Sequence, residues 1–206
     1  MAKILNEVNT MKSSIIKKCF KRIPTLQTER LILRKLSVSD YNDMYEYTHI
    51  ESVTDYVTWY PHPDRDYTKQ YLQIVQEQYR NGEFFDWAVI LRSENKMIGT
   101  CGFTSFDTQH NCGEIGYVIN PAYAYHSYAT EAAKEVIRFG FLNLNLHRIY
   151  ARYMDGNTAS RRVMDKCGMI YEGCARSSML VKDKYRNIHT CSIISDEFIR
   201  MYTRNQ

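Results

Sequence analysis

The segment that most constrains this chain is a strand that runs directly into a helix, "GEIGYVINPAYAYHSYATEAAKEV" (Gly113–Val136). Gly113–Asn120 reads as a strand. The helix that follows reaches about Leu142, with Ala129, Ala132, Ala133, Val136, Ile137 and Gly140 on one face. A strand feeding a helix N-terminus is a general anion site, because unpaired amides and the helix dipole point at the ligand. Yet the connecting stretch Ala124–Ser127 has no glycine, the residue that permits positive φ and close backbone approach to a phosphate.

The elements around this junction define the fold class. "ERLILRKL" (Glu29–Leu36) alternates as a strand does, Asp40 opens a short helix through Tyr47, and a second helix covers Asp66 to Arg80 until "NG" ends it. Three strands follow, Phe85–Arg92, Lys96–Phe106 and Gly113–Asn120, joined by turns short enough for antiparallel hairpins. Beyond the junction helix come a strand at His147–Met154 and a short helix at Asn157–Gly168, with Gly168 as its C-terminal stop. Strands at Met169–Arg176 and His189–Ile194 finish the chain, with "KDKYRN" between them. This order gives an α/β chain with a mixed, mostly antiparallel sheet flanked by helices. Residues 24–203 read as one domain, and residues 1–23 as an extra helix or loose arm ahead of it.

Composition excludes several classes. A net charge of +4 suits an anionic small molecule but is too mild for a nucleic-acid binder. No run of about 18 apolar residues spans a membrane, and the basic N-terminus lacks the apolar core of a secretory signal. The six cysteines form no CxxC pair and read as thiols in a reducing cytosol. The histidines form no HExxH, and His110 beside Cys112 lacks the further ligands of a zinc site, so no metal is expected.

Five motifs in one order then carry a resemblance: "LQTERLILR", "GEIGYVINPAY" with "YATEA", "LHRIYAR", "NTASRRVMDKCGMIYEG" and "KYRNIHTCSI". Across Leu26–Arg200 the chain resembles the GNAT superfamily of N-acetyltransferases, and within it the RimJ/RimL type. The resemblance implies acetyl-coenzyme A as donor and an amine acceptor, such as a protein N-terminus or a small-molecule amine, attacked directly in a ternary complex. It implies a sheet splayed after the "GEIGYVI" strand, with backbone of Tyr117, Val118 and Ile119 along the pantetheine and an amide near Val118 for the oxyanion. The pyrophosphate would lie on His126, Ser127, Tyr128, Ala129 and Thr130. A homodimer is among the assemblies common in such a family.

The chain departs from that pattern where Tyr125 and Ser127 replace the two glycines of W-G-K-G-Y-A-T-E-A. If φ must be positive there, strain of roughly 1–2 kcal/mol follows. Ser127 is also a good N-cap whose hydroxyl could occupy amides a phosphate needs. Met164 stands where many relatives carry a thiolate-protonating tyrosine; the RimJ/RimL type uses a serine one turn earlier, here Ser160. Asn157 is read as a pantetheine contact or a helix cap, and Ser160 equally fits a local helix bond. Glu114 is the candidate base, acting through water, although a solvated face is its plainer reading, and Met179 replaces a carboxylate of some relatives. The acceptor groove is expected from "THIESVTDYVTWYPHPD", with Trp59, Tyr60 and Tyr67, and from the "VKDKYRN" loop. The rival reading is a non-catalytic member of the fold that senses a ligand or a partner, and a second is transfer of a bulkier acyl chain.

Overall fold

The computed structural model describes residues 2–204. One eight-stranded sheet runs in the order β1-β2-β3-β4-β5-β6-β8-β7. Its strands are β1 (Leu26–Gln27), β2 (Leu31–Arg34), β3 (Asp86–Leu91), β4 (Lys96–Asp107), β5 (Cys112–Ile119), β6 (Arg148–Met154), β7 (Ile170–Val181) and β8 (Lys184–Ile194). Every neighbouring pair is antiparallel except β5–β6, which is parallel. The helices are α1 (Ala2–Lys21), α2 (Tyr41–Thr48), α3 (Glu51–Thr54), α4 (Arg65–Asn81), α5 (Tyr128–Leu142), α6 (Thr158–Lys166) and α7 (Ser195–Arg204).

The two sheet faces bury different helices, and β3 shows how. Its Trp87, Val89 and Leu91 join the core beneath α5, with Ala132, Ala133, Val136 and Ile137. Its Ala88 and Ile90 point the other way, to Met44 and Tyr47 of α2 and Leu72, Val75 and Tyr79 of α4. A strand covered on both faces reads as a continuous apolar run, and "WAVIL" is one.

The N-terminal segment is a helix, α1, whose Ile16 and Phe20 lie in the α5-side core. The Phe20 ring meets Phe85, Trp87, Phe103, Phe106 and Phe139 with centroids 5.0–6.5 Å away. Gly82 permits this approach. It ends α4 at φ 70°, and a Cβ there would lie 2.3 Å from the Lys17 carbonyl oxygen.

The C-terminal part differs from the sequence expectation. "KDKYRN" is not a loop: Lys184–Asn187 belongs to β8, and the hairpin turns on Lys182 and Asp183, at φ 50° and 62°. Positive φ at both central residues is the type I′ geometry that matches strand twist. Lys-Asp does not advertise it as Asn-Gly would, and irregular register between Ala175 and Met179 hides the alternation of β7. The chain then ends in helix α7, beyond the last strand expected from sequence, and its Phe198 stacks on Phe141 at 4.9 Å. Among the described residues no helix is long and apolar enough to cross a membrane.

Candidate active site

The site begins where the parallel β5–β6 pair comes apart. β5 and β6 pair at Cys112–Arg148, Gly113–Ile149 and Glu114–Tyr150, and there the pairing ends, although β5 runs on to Ile119 and β6 to Met154. Asn120 donates its N–H to the Ile98 carbonyl of β4 at 2.8 Å. Backbone groups alternate sides along a strand, so those of Val118 and Gly116 face β4, while those of Tyr117 and Ile119 face the gap. Of the three residues expected along a cofactor, two therefore present backbone to it.

Beyond the gap the chain crosses a short 3-10 turn and enters α5. Tyr125 and Ser127 both adopt the left-handed conformation, at φ 66° and 62°. This is the backbone glycine takes freely and a side-chain-bearing residue takes at a cost of about 1–2 kcal/mol. Tyr125 is 100% exposed, so no packing of its ring holds it there. The backbone path imposes the strain.

Ser127 stands at the N-cap of α5 but makes no side-chain capping bond. The cap expected from its identity fails because φ is positive, whereas a capping serine sits in extended backbone. Its hydroxyl instead accepts from Lys166 Nζ at 3.4 Å. The first-turn amides of α5 are therefore not taken by Ser127. Around them His126 is exposed, Tyr128 and Ala129 are half-buried, and Thr130 is buried. Arg30 lies over the Tyr128 ring at 4.6 Å and pairs with Glu131, which Thr28 also binds, anchoring the first turn to β2 and its approach.

Helix α6 spans both halves of the site. At its C-terminal end Lys166 meets Ser127, while at its start Asn157 caps the helix, its Oδ1 accepting from the Ser160 N–H at 3.1 Å. The Tyr117 phenol reaches across from β5, 2.9 Å from the Ser160 carbonyl, to which it donates, and 3.0 Å from Ser160 Oγ. Burial drives the Tyr117 hydroxyl well above its ordinary range against a smaller opposing effect of Ser160, so it stays protonated as a donor. Met164, one turn on, is buried in the α5-side core.

Glu114 sits at the foot of the gap, 8% exposed. Arg152 of β6 grips it through Nε at 2.8 Å and an Nη at 3.0 Å, and Ser105 Oγ lies 3.4 Å away. The bidentate guanidinium and the serine hydroxyl occupy both oxygens of the carboxylate, so any contact between Glu114 and an amine in the gap runs through water.

The two segments expected to form an acceptor groove do meet. Lys182, in the β7–β8 turn, donates to the Thr54 carbonyl at 2.6 Å and lies 5.2 Å over the Tyr60 ring. Tyr56 is close to Gly156, two residues before α6: a Cβ there would lie 3.0 Å from its hydroxyl. Tyr56, Tyr60 and Tyr67 are all exposed. Met179 packs beside Met154, Val181 and Ile188. Sequence reasoning missed the Tyr117 hydroxyl, Arg152 and Lys166, since each acts through a partner distant along the chain.

The model of the acetyltransferase (GNAT) domain matches residues 30–170. The chain is a GNAT acetyltransferase. It is 31% identical over 173 residues to the uncharacterized N-acetyltransferase YnaD of Bacillus subtilis, covering 84% of this chain and 98% of the relative. The crystal structure of a GNAT-family acetyltransferase from Bacillus anthracis matches with a TM-score of 0.75 and 30% identity, over 84% of this chain and all of that one. A ribosomal L7/L12 alpha-N-protein acetyltransferase, RimL, solved with coenzyme A, shares the fold at a TM-score of 0.71 and 15% identity, over 84% and 99%. GNAT acetyltransferases take their acetyl group from acetyl-coenzyme A. The features of this GNAT site fit that molecule: a strand edge freed at Tyr117 and Ile119, left-handed residues 125 and 127, uncapped first-turn amides and Lys166 beside them.

Proposed function

We propose that this chain is an N-acetyltransferase of the RimJ/RimL type, acting on a primary amine and above all on the α-amine of a polypeptide. The observation that carries the reading is the Ser160–Tyr117 hydroxyl pair between α6 and the freed edge of β5. Acetyl-coenzyme A, when bound, supplies the activated acetyl group. Amides of the turn from His126 to Thr130, with Lys166, would hold its pyrophosphate, and Asn157 keeps the start of α6 in place. Backbone of Tyr117 and Ile119 would align the pantetheine, and a free N–H of this edge would be available to stabilise developing negative charge on the acetyl oxygen.

Ser160 Oγ holds the proton for the departing sulfur. With the Tyr117 proton on the Ser160 carbonyl, the serine hydroxyl donates to the phenol oxygen; when the phenol turns to donate to Oγ, the serine O–H is free to turn toward the gap, where it would give its proton to the departing sulfur and regain one through water from the proton the amine loses. Glu114 fixes Arg152 at the foot of the gap and takes up a proton only through water. That arrangement suits an α-amine, which costs about 1 kcal/mol to deprotonate at neutral pH against about 4–5 for lysine. Lys182 and the exposed tyrosines at the groove suit a peptide better than a polycationic amine.

The test compares a peptide with a free N-terminus, its N-terminally blocked form carrying lysine, and spermidine as acceptors. The free peptide is expected to be acetylated fastest. Transfer to spermidine or to lysine alone contradicts the reading.

A further inference from the structure

Beside the acetyl-transfer machinery but sharing none of its residues, three residues far apart in sequence converge where β6, β7 and β8 lie side by side. On β8, His189 stands opposite Tyr153 of β6 and opposite Cys174 of β7. Directly opposed residues share a sheet face. Cys174 reaches that face only through the register shift between Tyr171 and Gly173. Tyr171 and Cys174 are three residues apart, and in a regular strand they would point to opposite sides; the extra residue brings both onto the His189 face. Asp155, two residues past Tyr153, extends the β6 edge by donating its N–H to the Asn187 carbonyl at 3.3 Å.

We propose that Asp155, Cys174 and His189 form a binding site for a divalent transition-metal ion of the zinc class. Their donor atoms, a carboxylate oxygen, a thiol sulfur and an imidazole nitrogen, lie within 4.8 Å of one another. A tetrahedral ion with bonds of roughly 2.0–2.3 Å separates its ligands by somewhat less, so small side-chain rotations close the set. Thiolate with imidazole and carboxylate is a donor set for zinc or cobalt and not for magnesium or calcium.

The ligands are already oriented from behind. His189 presents Nε2 to Asp155, while its Nδ1 lies 2.9 Å from the Tyr171 hydroxyl and its ring stacks on Tyr153 at 4.7 Å. The second oxygen of Asp155 accepts from Asn187 Nδ2 at 2.5 Å. Such outer contacts fix the tautomer and angle of a metal ligand. Arg161, above the Tyr171 ring, is itself ion-paired with Asp165. Three protein ligands leave a fourth position for water. Binding displaces the thiol proton of Cys174 to solvent and any proton shared by the His189–Asp155 pair. The ion would tie the β7–β8 hairpin to the turn that leads through Asn157 into α6. The spacing of these residues gives no hint of this; the bulge and the strand order create it.

The test is a titration of the chelator-treated full chain with Co²⁺, followed by absorption, with a parallel Zn²⁺ thermal-shift measurement. One ion per chain is expected, with a thiolate-to-metal charge-transfer band that Zn²⁺ displaces. Cys174→Ser should remove the band, and His189→Gln should weaken binding by about tenfold or more. Zn²⁺ should raise the melting temperature of the parent chain and not that of Cys174→Ser. Absence of a thiolate band, or a band that survives Cys174→Ser, overturns the proposal. Neither readout depends on acetyl transfer.

Discussion

The two sides of the gap between β5 and β6 are built differently. On the side proposed for the cofactor the available groups are backbone: freed groups at Tyr117 and Ile119, and the amides of a turn held left-handed at Tyr125 and Ser127. On the side proposed for the acceptor they are side chains, Tyr56 and Tyr60 with Lys182 from a distant hairpin. The difference explains how this chain dispenses with two glycines. A backbone site survives side-chain replacement so long as φ is kept, and here it is kept at an energetic cost. A side-chain site has no such tolerance, and its chemistry changes with each substitution.

Breaking the proton path at the meeting point of the two sides gives the largest expected effect. Ser160→Ala should lower kcat by about 10²–10⁴-fold, the range for loss of a positioned proton donor, with little change in acetyl-coenzyme A affinity. Tyr117→Phe should give a smaller fall in kcat, since it removes the hydroxyl behind Ser160. Equal rates for parent and Ser160→Ala would remove the serine from the mechanism.

The comparison is sharpened by restoring the glycines. Tyr125→Gly and Ser127→Gly should each stabilise the fold by up to about 1 kcal/mol, the relief of left-handed strain less the extra freedom of glycine when unfolded. Denaturant unfolding measures this, and destabilisation by both would show that the side chains hold the loop. Lys166→Met should weaken acetyl-coenzyme A binding several-fold, about 1 kcal/mol at most for an exposed cation near a phosphate. Tyr60→Ala should instead raise acceptor KM and leave cofactor affinity unchanged.

A titration in the body of the sheet lies outside both sides. Burial, opposed by a weaker bond from Thr100, pushes the Asp86 carboxyl from 3.8 up to about 7. The folded state thus keeps a proton that the unfolded chain has lost. Its contribution is favourable at low pH and is lost as pH rises through the folded value. Melting temperature should therefore fall between about pH 4 and about pH 7 and level off above, and Asp86→Asn should flatten that fall. An unchanged slope would show that Asp86 is not the group responsible.

Much of the architecture was legible because local rules agreed with the fold. "WAVIL" reads as a doubly buried strand, Asn81–Gly82 as a helix stop, and the small-residue face of α5 as the layer against the sheet. The C-terminal hairpin was not legible, because its turn uses Lys182–Asp183 and its strand carries bulges that break the alternation. At the site, Asn157 as a cap follows from residue type and position. The conformation of Tyr125 and Ser127 does not, since both residue types favour negative φ and only the chain path overrides them. The Tyr117–Ser160 contact and the Arg152 grip on Glu114 are tertiary facts that spacing cannot express.

Calorimetric titration of acetyl-coenzyme A tests most directly whether the left-handed turn at Tyr125 and Ser127 binds phosphate without glycine. The parent chain and the Tyr125→Gly/Ser127→Gly variant should both bind in the micromolar range, within about tenfold of each other. No binding by the parent at millimolar cofactor, with binding regained in the double-glycine variant, would show that the strained turn is not a working cradle.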